Sequence, residues 1–181
     1  TLHNRQIPLP TDIFTQRKNS SGYSLDVSSQ WQVCQAMRAP FQTVTWHAGS
    51  WVQGARHLAS PAVTVTAPYD RRECIGDYAI ATDALIAQAL DVAQMTWPAW
   101  QATPVSQRAD CLFRLADLLA QHQGELIALC QREAGKTWHD SIDEIREAID
   151  FCRYYATEAL THFSAPSRQT NLDGSVVSMQ R

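Results

Sequence analysis

The chain has 181 residues, 45% of them hydrophobic and 18% charged, a composition that excludes wholesale disorder. Its 15 basic and 18 acidic residues leave a formal charge of -3, and with no Lys/Arg-rich run the composition argues against nucleic acid or an anionic membrane surface as partner. No stretch approaches the roughly 20 apolar residues of a transmembrane helix, and Thr1 to Pro10 carry no secretory signal.

Residues 1 to about 25 carry the punctuation of a connector: Pro8 and Pro10 bracket Leu9, and Asn19-Ser20-Ser21-Gly22 is rich in turn formers. No core is expected there. The chain starts on Thr rather than Met, which fits either processing or an upstream continuation, and the second suits this connector. Val27, Trp31, Cys34 and Met37 then supply one apolar helical face, with Ser28 or Ser29 as the expected cap and Pro40 as the stop. From 42 to 61 the alternation is weak, and Trp46, Trp51 and two glycines leave the segment as coil with room for a strand. The β-branched run Val63-Thr64-Val65-Thr66, the turn formers of Ala67 to Asp70 and the segment Cys74 to Ile80 predict a β-hairpin.

Thr82-Asp83 caps the next expected helix, whose face is Leu85, Ile86, Ala89, Leu90 and Ala93 and whose end falls near Trp97-Pro98. Thr103-Pro104 starts another, with Pro104 at the first helical position and Val105, Ala109, Leu112, Phe113, Ala116 and Leu119 on one side. Gly124 marks a break before a helical segment with Leu126, Ile127, Leu129 and Cys130, ended by Gly135; two helices and one bent helix both satisfy this pattern. After Thr137 the residues Ile142, Ile145, Ile149, Cys152, Ala156, Ala159 and Phe163 step by three and four, predicting a long amphipathic helix. Beyond Ser164 the chain turns polar at Pro166, Asn171 and Gly174 and closes on a strand-like Ser175 to Met179, which needs a partner.

Few of these residues form a recognisable chemical pattern. Ala134-Gly135-Lys136-Thr137 ends like a phosphate loop, but position 130 holds Cys130 rather than glycine and no strand precedes it. A helix stop followed by a Thr137 cap accounts for the same residues. The histidines His3, His47, His57, His122, His139 and His162 do not pair with one another or with cysteine at metal-ligand spacing, so no metal is expected. Asp140 beside His139 reads as a first-turn acid serving the helix dipole. Cys34, Cys74, Cys111, Cys130 and Cys152 are odd in number and lack a C-x-x-C pair, which points to a reducing, cytoplasmic compartment and to structural roles for all five. Trp97, Trp100 and Trp138 are assigned to packing. Asp143, Glu144, Glu147 and Asp150 lie mostly off the apolar stripe, beside Arg146 and Arg153, and read as a solvated face. Glu147 and Phe151, four residues apart, share a separate face that is free to meet a ligand or another domain.

Arg132-Glu133-Ala134-Gly135-Lys136-Thr137 and the run from Glu144 through Ala156 resemble the aldehyde-dehydrogenase half of PutA-type bifunctional proline-catabolic proteins. Ile7 to Phe14 and Arg17 to Gly22 are similar to the segment that joins that family's proline dehydrogenase barrel to its dehydrogenase half. The resemblance weakens from Ala67 to Leu129 and is faint from Gln42 to Ala62. It implies an α/β fold, the helix-rich N-terminal portion of a Rossmann-like dehydrogenase domain, with 1–41 a connector carrying a short helix and 42–181 an incomplete domain. The implied parent oxidises L-proline with a flavin, FAD, and then L-glutamate γ-semialdehyde to glutamate with NAD. In that family a cysteine thiolate attacks the aldehyde, an asparagine helps hold the oxyanion and a glutamate helps activate water. None of those catalytic or cofactor-binding positions falls in this segment, and the asparagine box is expected shortly after Arg181. One position does match: Glu147 corresponds to a family glutamate that reaches toward the amino group of the semialdehyde, a substrate-binding role. The segment Gly174 to Arg181 follows the family only loosely, and the alternative reading is a non-catalytic helical interaction module or a decayed gene product. The expected partners are the small aldehyde substrate and the rest of the dehydrogenase domain.

Overall fold

A computed structural model describes residues 6–58, 61–165 and 167–179, so His3, Pro166 and Arg181 lie outside the described residues. The chain is α/β and divides into two compact units. One comprises residues 23–102 and 123–142, the other 1–22, 103–122 and 143–181.

In the first of these, helix α1 spans Ser28–Arg38 and ends in a 3-10 turn, Ala39–Phe41, that contains Pro40. The expected serine cap is absent: Val27 occupies the cap position without a side-chain bond. The Gln30 side chain accepts instead from the Ser24 amide at 2.7 Å, serving the backbone just upstream. The undecided stretch that follows contains three short strands: β1 (Trp46–Ala48), β2 (Ser50–Val52) and β3 (Ala55–His57). β2 and β3 pair antiparallel around Gln53-Gly54, both at positive φ (52° and 75°), the geometry of a two-residue hairpin turn. Gln in place of the usual Asn or Asp hides that turn from sequence reading. β4 (Ala62–Thr66) and β5 (Cys74–Ala79) form the expected hairpin, and β1 adds to β5 in parallel, giving the strand order β1-β5-β4.

α2 spans Asp83–Ala102, with the Leu85 amide donating to Thr82 Oγ1 at 3.2 Å as the cap signal predicted. It does not stop at Pro98. Pro98 lacks the N–H that would bond the Gln94 carbonyl, and Gln94 is exposed, so water can satisfy that oxygen. No residue of α2 is buried, and Leu90, Met95, Trp97 and Trp100 remain 67%, 80%, 58% and 44% exposed. The packing role expected for Trp97 and Trp100 is therefore not found; Trp138, half-buried, does meet the edge of Trp31 with ring centroids 4.9 Å apart.

α4 (Gln123–Ala134) is separate from the helix before it, and Gly124 explains more than a break. A Cβ at Gly124 would come within 2.4 Å of the Met37 carbonyl, so only glycine lets α4 and α1 approach this closely. Gly135 ends α4 at positive φ, and Thr137 starts α5 (Trp138–Phe163), its Oγ1 accepting from the Asp140 amide at 3.2 Å.

Arg132 of α4 is 4% exposed. Its Nε donates to Glu73 Oε1 at 2.8 Å, its Nη1 to the carbonyls of Val44 at 2.5 Å and Phe41 at 3.4 Å, and its guanidinium lies 5.1 Å from the centre of the Trp46 ring. Glu73 also accepts from the Tyr69 hydroxyl at 2.9 Å. The Arg132 hydrogen bond, followed by that of Tyr69, holds the Glu73 carboxyl below its ordinary range.

In the second unit, the connector contains a 3-10 turn at Pro10–Asp12. α3 spans Val105–Gln121 with Pro104 at the cap, one position before the expected site, and buries Ala109 and Ala116. Along α5 the predicted stripe is buried at Ile142, Ile145, Ile149 and Ala156, half-buried at Cys152 and Ala159, and 39% exposed at Phe163. The terminal strand finds its partner nearby: β6 (Ser167–Thr170), not anticipated, pairs antiparallel with β7 (Val176–Met179).

These contacts lead to three predictions. The bare face of α2 should bind a hydrophobic dye and drive aggregation of the isolated chain, and Leu90→Lys with Met95→Lys should reduce both without lowering the far-UV helix signal. A sharp, reversible thermal transition of a dye-silent monomer would contradict this. Removing the partner of the buried guanidinium by Glu73→Ala should cost on the order of 3 kcal/mol in urea denaturation. Because Glu73 has a lowered folded-state pKa, its contribution should be complete above the unfolded value of 4.5 and lost as pH falls through the folded value. The stability gap between the protein and Glu73→Gln, measured from pH 7 to pH 3, should close on the acid side.

Candidate functional site

The 26-residue helix α5 owes its length to an N-terminal cap and an uninterrupted apolar stripe. With Ile145 and Ile149 turned inward, the position midway between them faces out. Glu147 is exposed there, with no hydrogen bond or ion pair among the described residues. Four and eight residues on, Phe151 and Tyr155 continue the same row, 50% and 58% exposed. Their ring centroids are 6.0 Å apart, and Tyr154 meets Tyr155 edge-on at 5.2 Å. A carboxylate at the head of an aromatic row can attract an ammonium group while the rings accept the apolar chain attached to it.

The other acids of α5 separate by environment. Asp143 pairs with Arg146 at 3.2 Å on the surface, as a solvated face would. Asp150 does not belong to that face: it is half-buried and accepts from the amide of Ser20 at 2.7 Å and from its hydroxyl at 2.8 Å. Nothing in the sequence signals this pair, because 130 positions separate its members. Arg132 did leave a trace, a charge placed among the apolar positions Ile127 and Ala128 of α4.

A groove of about 600 Å³ lies among the connector, α3 and α5, lined by Asp12, Phe14, Arg17, Lys18, Asp117 and Arg153 among others, and Glu147 does not line it. Its cations are largely engaged: Lys18 with Asp12, Arg153 with Asp117 at 3.4 Å, and Arg17 above the Phe14 ring at 3.9 Å. All five cysteines are unpaired; Cys34 is buried, but Cys74 and Cys111 are exposed, which removes the packing role expected for those two. No group of three His, Cys, Asp or Glu side chains gathers to hold a metal ion among the described residues. Nor is any described helix long and apolar enough to cross a membrane.

The sequence pattern of the aldehyde dehydrogenase family matches residues 51–181. The chain belongs to the aldehyde dehydrogenase family. Among its relatives, it is 33% identical over 168 residues to the bifunctional protein PutA of Escherichia coli (strain K12), an alignment covering 90% of this chain and 12% of that protein. The chain thus spans about an eighth of that relative's length. It superposes on the crystal structure of proline utilization A from Bdellovibrio bacteriovorus inactivated by N-propargylglycine, with a TM-score of 0.78 and 25% identity over 92% of this chain and 17% of that one. The Thermus 1-pyrroline-5-carboxylate dehydrogenase with bound NAD shares the fold at a TM-score of 0.75, with 23% identity over 82% of this chain and 29% of that one. This aldehyde dehydrogenase segment contains the acidic, aromatic face of α5, in which Glu147 is the sequence-predicted site residue.

Proposed function

We propose that the chain is the N-terminal part of the aldehyde-oxidising unit of a PutA-type enzyme, which converts L-glutamate γ-semialdehyde to glutamate with NAD in proline catabolism. In this reading residues 1–41 connect an upstream, FAD-dependent proline dehydrogenase to the unit that begins at 42, and the parent is cytoplasmic, in keeping with five unpaired cysteines. The observation that carries the assignment is Glu147, an exposed carboxylate on the helix whose residues match the family, placed over Phe151 and Tyr155. Its role is binding: it meets the α-ammonium of the semialdehyde and orients the chain, leaving the aldehyde end for groups supplied elsewhere in the enzyme.

Bound NAD would accept the hydride. The residues described here supply no cradle for it: Gly135-Lys136-Thr137 joins two helices with no preceding strand, so α4 and α5 carry no nucleotide-binding role. In this reading the segment is non-catalytic by itself. The bare face of α2 suits the alternative of an interaction module equally well, and activity separates the two.

The test is NAD-dependent oxidation of glutamate γ-semialdehyde by the purified 181-residue chain and by the protein extended through the sequence that follows it. Activity in the longer protein alone is the expected outcome; activity in neither favours the interaction module or a decayed gene. In the active protein, Glu147→Gln should raise KM for the semialdehyde about ten- to hundredfold, the equivalent of about 1.5–3 kcal/mol for a hydrogen bond to a charged group, while sparing an aldehyde that lacks the amino group.

A further inference from the structure

Ser20 belongs to a stretch with the composition of a tether, yet it is 5% exposed. Its amide and hydroxyl bond separate oxygens of one carboxylate, Asp150 Oδ1 at 2.7 Å and Oδ2 at 2.8 Å, and the hydroxyl also lies 3.4 Å from the Arg146 carbonyl one turn earlier. Bonds of this kind to an ionised acceptor are stronger than neutral ones, and two of them fix direction as well as distance. The neighbouring residues follow the same helix. A Cβ on Gly22 would lie 3.1 Å from the Arg146 guanidinium, Arg153 Nη1 donates to the Lys18 carbonyl at 3.4 Å, and the Arg17 guanidinium sits 5.6 Å from the centre of the Tyr154 ring. Residues 17–22 are thus bound along α5 from Arg146 to Tyr154, the two turns that carry Glu147 and Phe151.

We propose that Ser20 and Asp150 form a clamp that fixes the rotation and axial position of α5, and that this clamp is what holds Glu147 where it meets the substrate's amino group. The inference rests on the binding role given to Glu147 above. Asp150 lies three residues after Glu147, close to one turn along the same helix, so a rotation that broke the Ser20 bonds would swing the Glu147 carboxylate with it. Ser20 and Asp150 are positioning residues: neither touches substrate, and the connector becomes part of the substrate-binding apparatus.

The test uses the full-length enzyme, with Ser20→Ala, Ser20→Thr and Asp150→Ala each made in the parent and in a Glu147→Gln background. Steady-state kinetics are read with glutamate γ-semialdehyde and with an aliphatic aldehyde of similar length lacking the amino group. Ser20→Ala and Asp150→Ala should raise KM for the semialdehyde roughly tenfold with kcat changed less than about twofold, and leave the aliphatic aldehyde unaffected. Ser20→Thr, which keeps the hydroxyl, should restore KM, and the effect of Ser20→Ala should vanish once Glu147 is Gln, because the two act through one contact. Ser20→Ala retains the backbone bond and carries the test if Asp150→Ala fails to accumulate. Equal losses on both aldehydes, additivity with Glu147→Gln, or no effect of Ser20→Ala where Glu147→Gln impairs binding would each overturn the clamp and leave the Glu147 assignment standing. If Glu147→Gln itself leaves the semialdehyde KM unchanged, the assignment falls and the clamp's positioning role falls with it.

Discussion

A buried guanidinium needs hydrogen-bond acceptors, and Arg132 finds them for its Nε and Nη1 in groups drawn from two stretches of chain. The carboxylate of Glu73 precedes β5, the carbonyls of Phe41 and Val44 lie in the stretch between α1 and β1, and the Trp46 ring belongs to β1 itself. One side chain of α4 therefore fixes where the three-stranded sheet begins and how it lies against the helix. Breaking any of these contacts leaves a charge in a site that excludes water, whereas a hydrophobic replacement would lose the directionality of the bonds. Trp46 is held twice, by Arg132 across its face and by Glu125 accepting from its Nε1 at 2.9 Å, and both acceptor and cation come from α4.

The other unit is organised on the same principle. There an acid rather than a base carries the contact, and the half-buried Asp150 accepts from the amide and hydroxyl of Ser20. In each unit a charged group on a helix holds irregular backbone through hydrogen bonds. This explains how a Pro- and Ser-rich connector becomes ordered: it contributes almost nothing hydrophobic, and charged hydrogen bonds supply the free energy that burial does not.

The bare face of α2 belongs to the same logic. Its apolar residues follow helical spacing, which fixes the helix, but a stripe stabilises only when something covers it, and the described residues leave Leu85, Ala89 and Val92 half-buried and the rest of the stripe exposed. The chain belongs to the aldehyde dehydrogenase family and spans about an eighth of the length of the Escherichia coli relative it matches.

Sequence alone determined the long elements. The hairpin of β4 and β5, the starts of α2 and α5 and the end of α4 at Gly135 were legible, because caps, breakers and three- and four-residue periodicity act over a few neighbouring residues, whereas the choice between two helices and one bent helix around Gly124 was left to the structure. Glu147 was likewise legible as a residue on its own face of α5. Tertiary structure alone decided the rest. It paired β1 with β5, β2 with β3 and β6 with β7, since strands of three or four residues carry too little periodicity to declare themselves. It carried α2 past Pro98, where exposure to water spares the freed carbonyl, and left Trp97 and Trp100 uncovered. It moved Asp150 from a solvated face to a half-buried pair with Ser20 and made Arg132 a structural centre. Those outcomes depend on which distant backbone arrives beside a charge, and a charge looks the same in sequence whether water or protein solvates it.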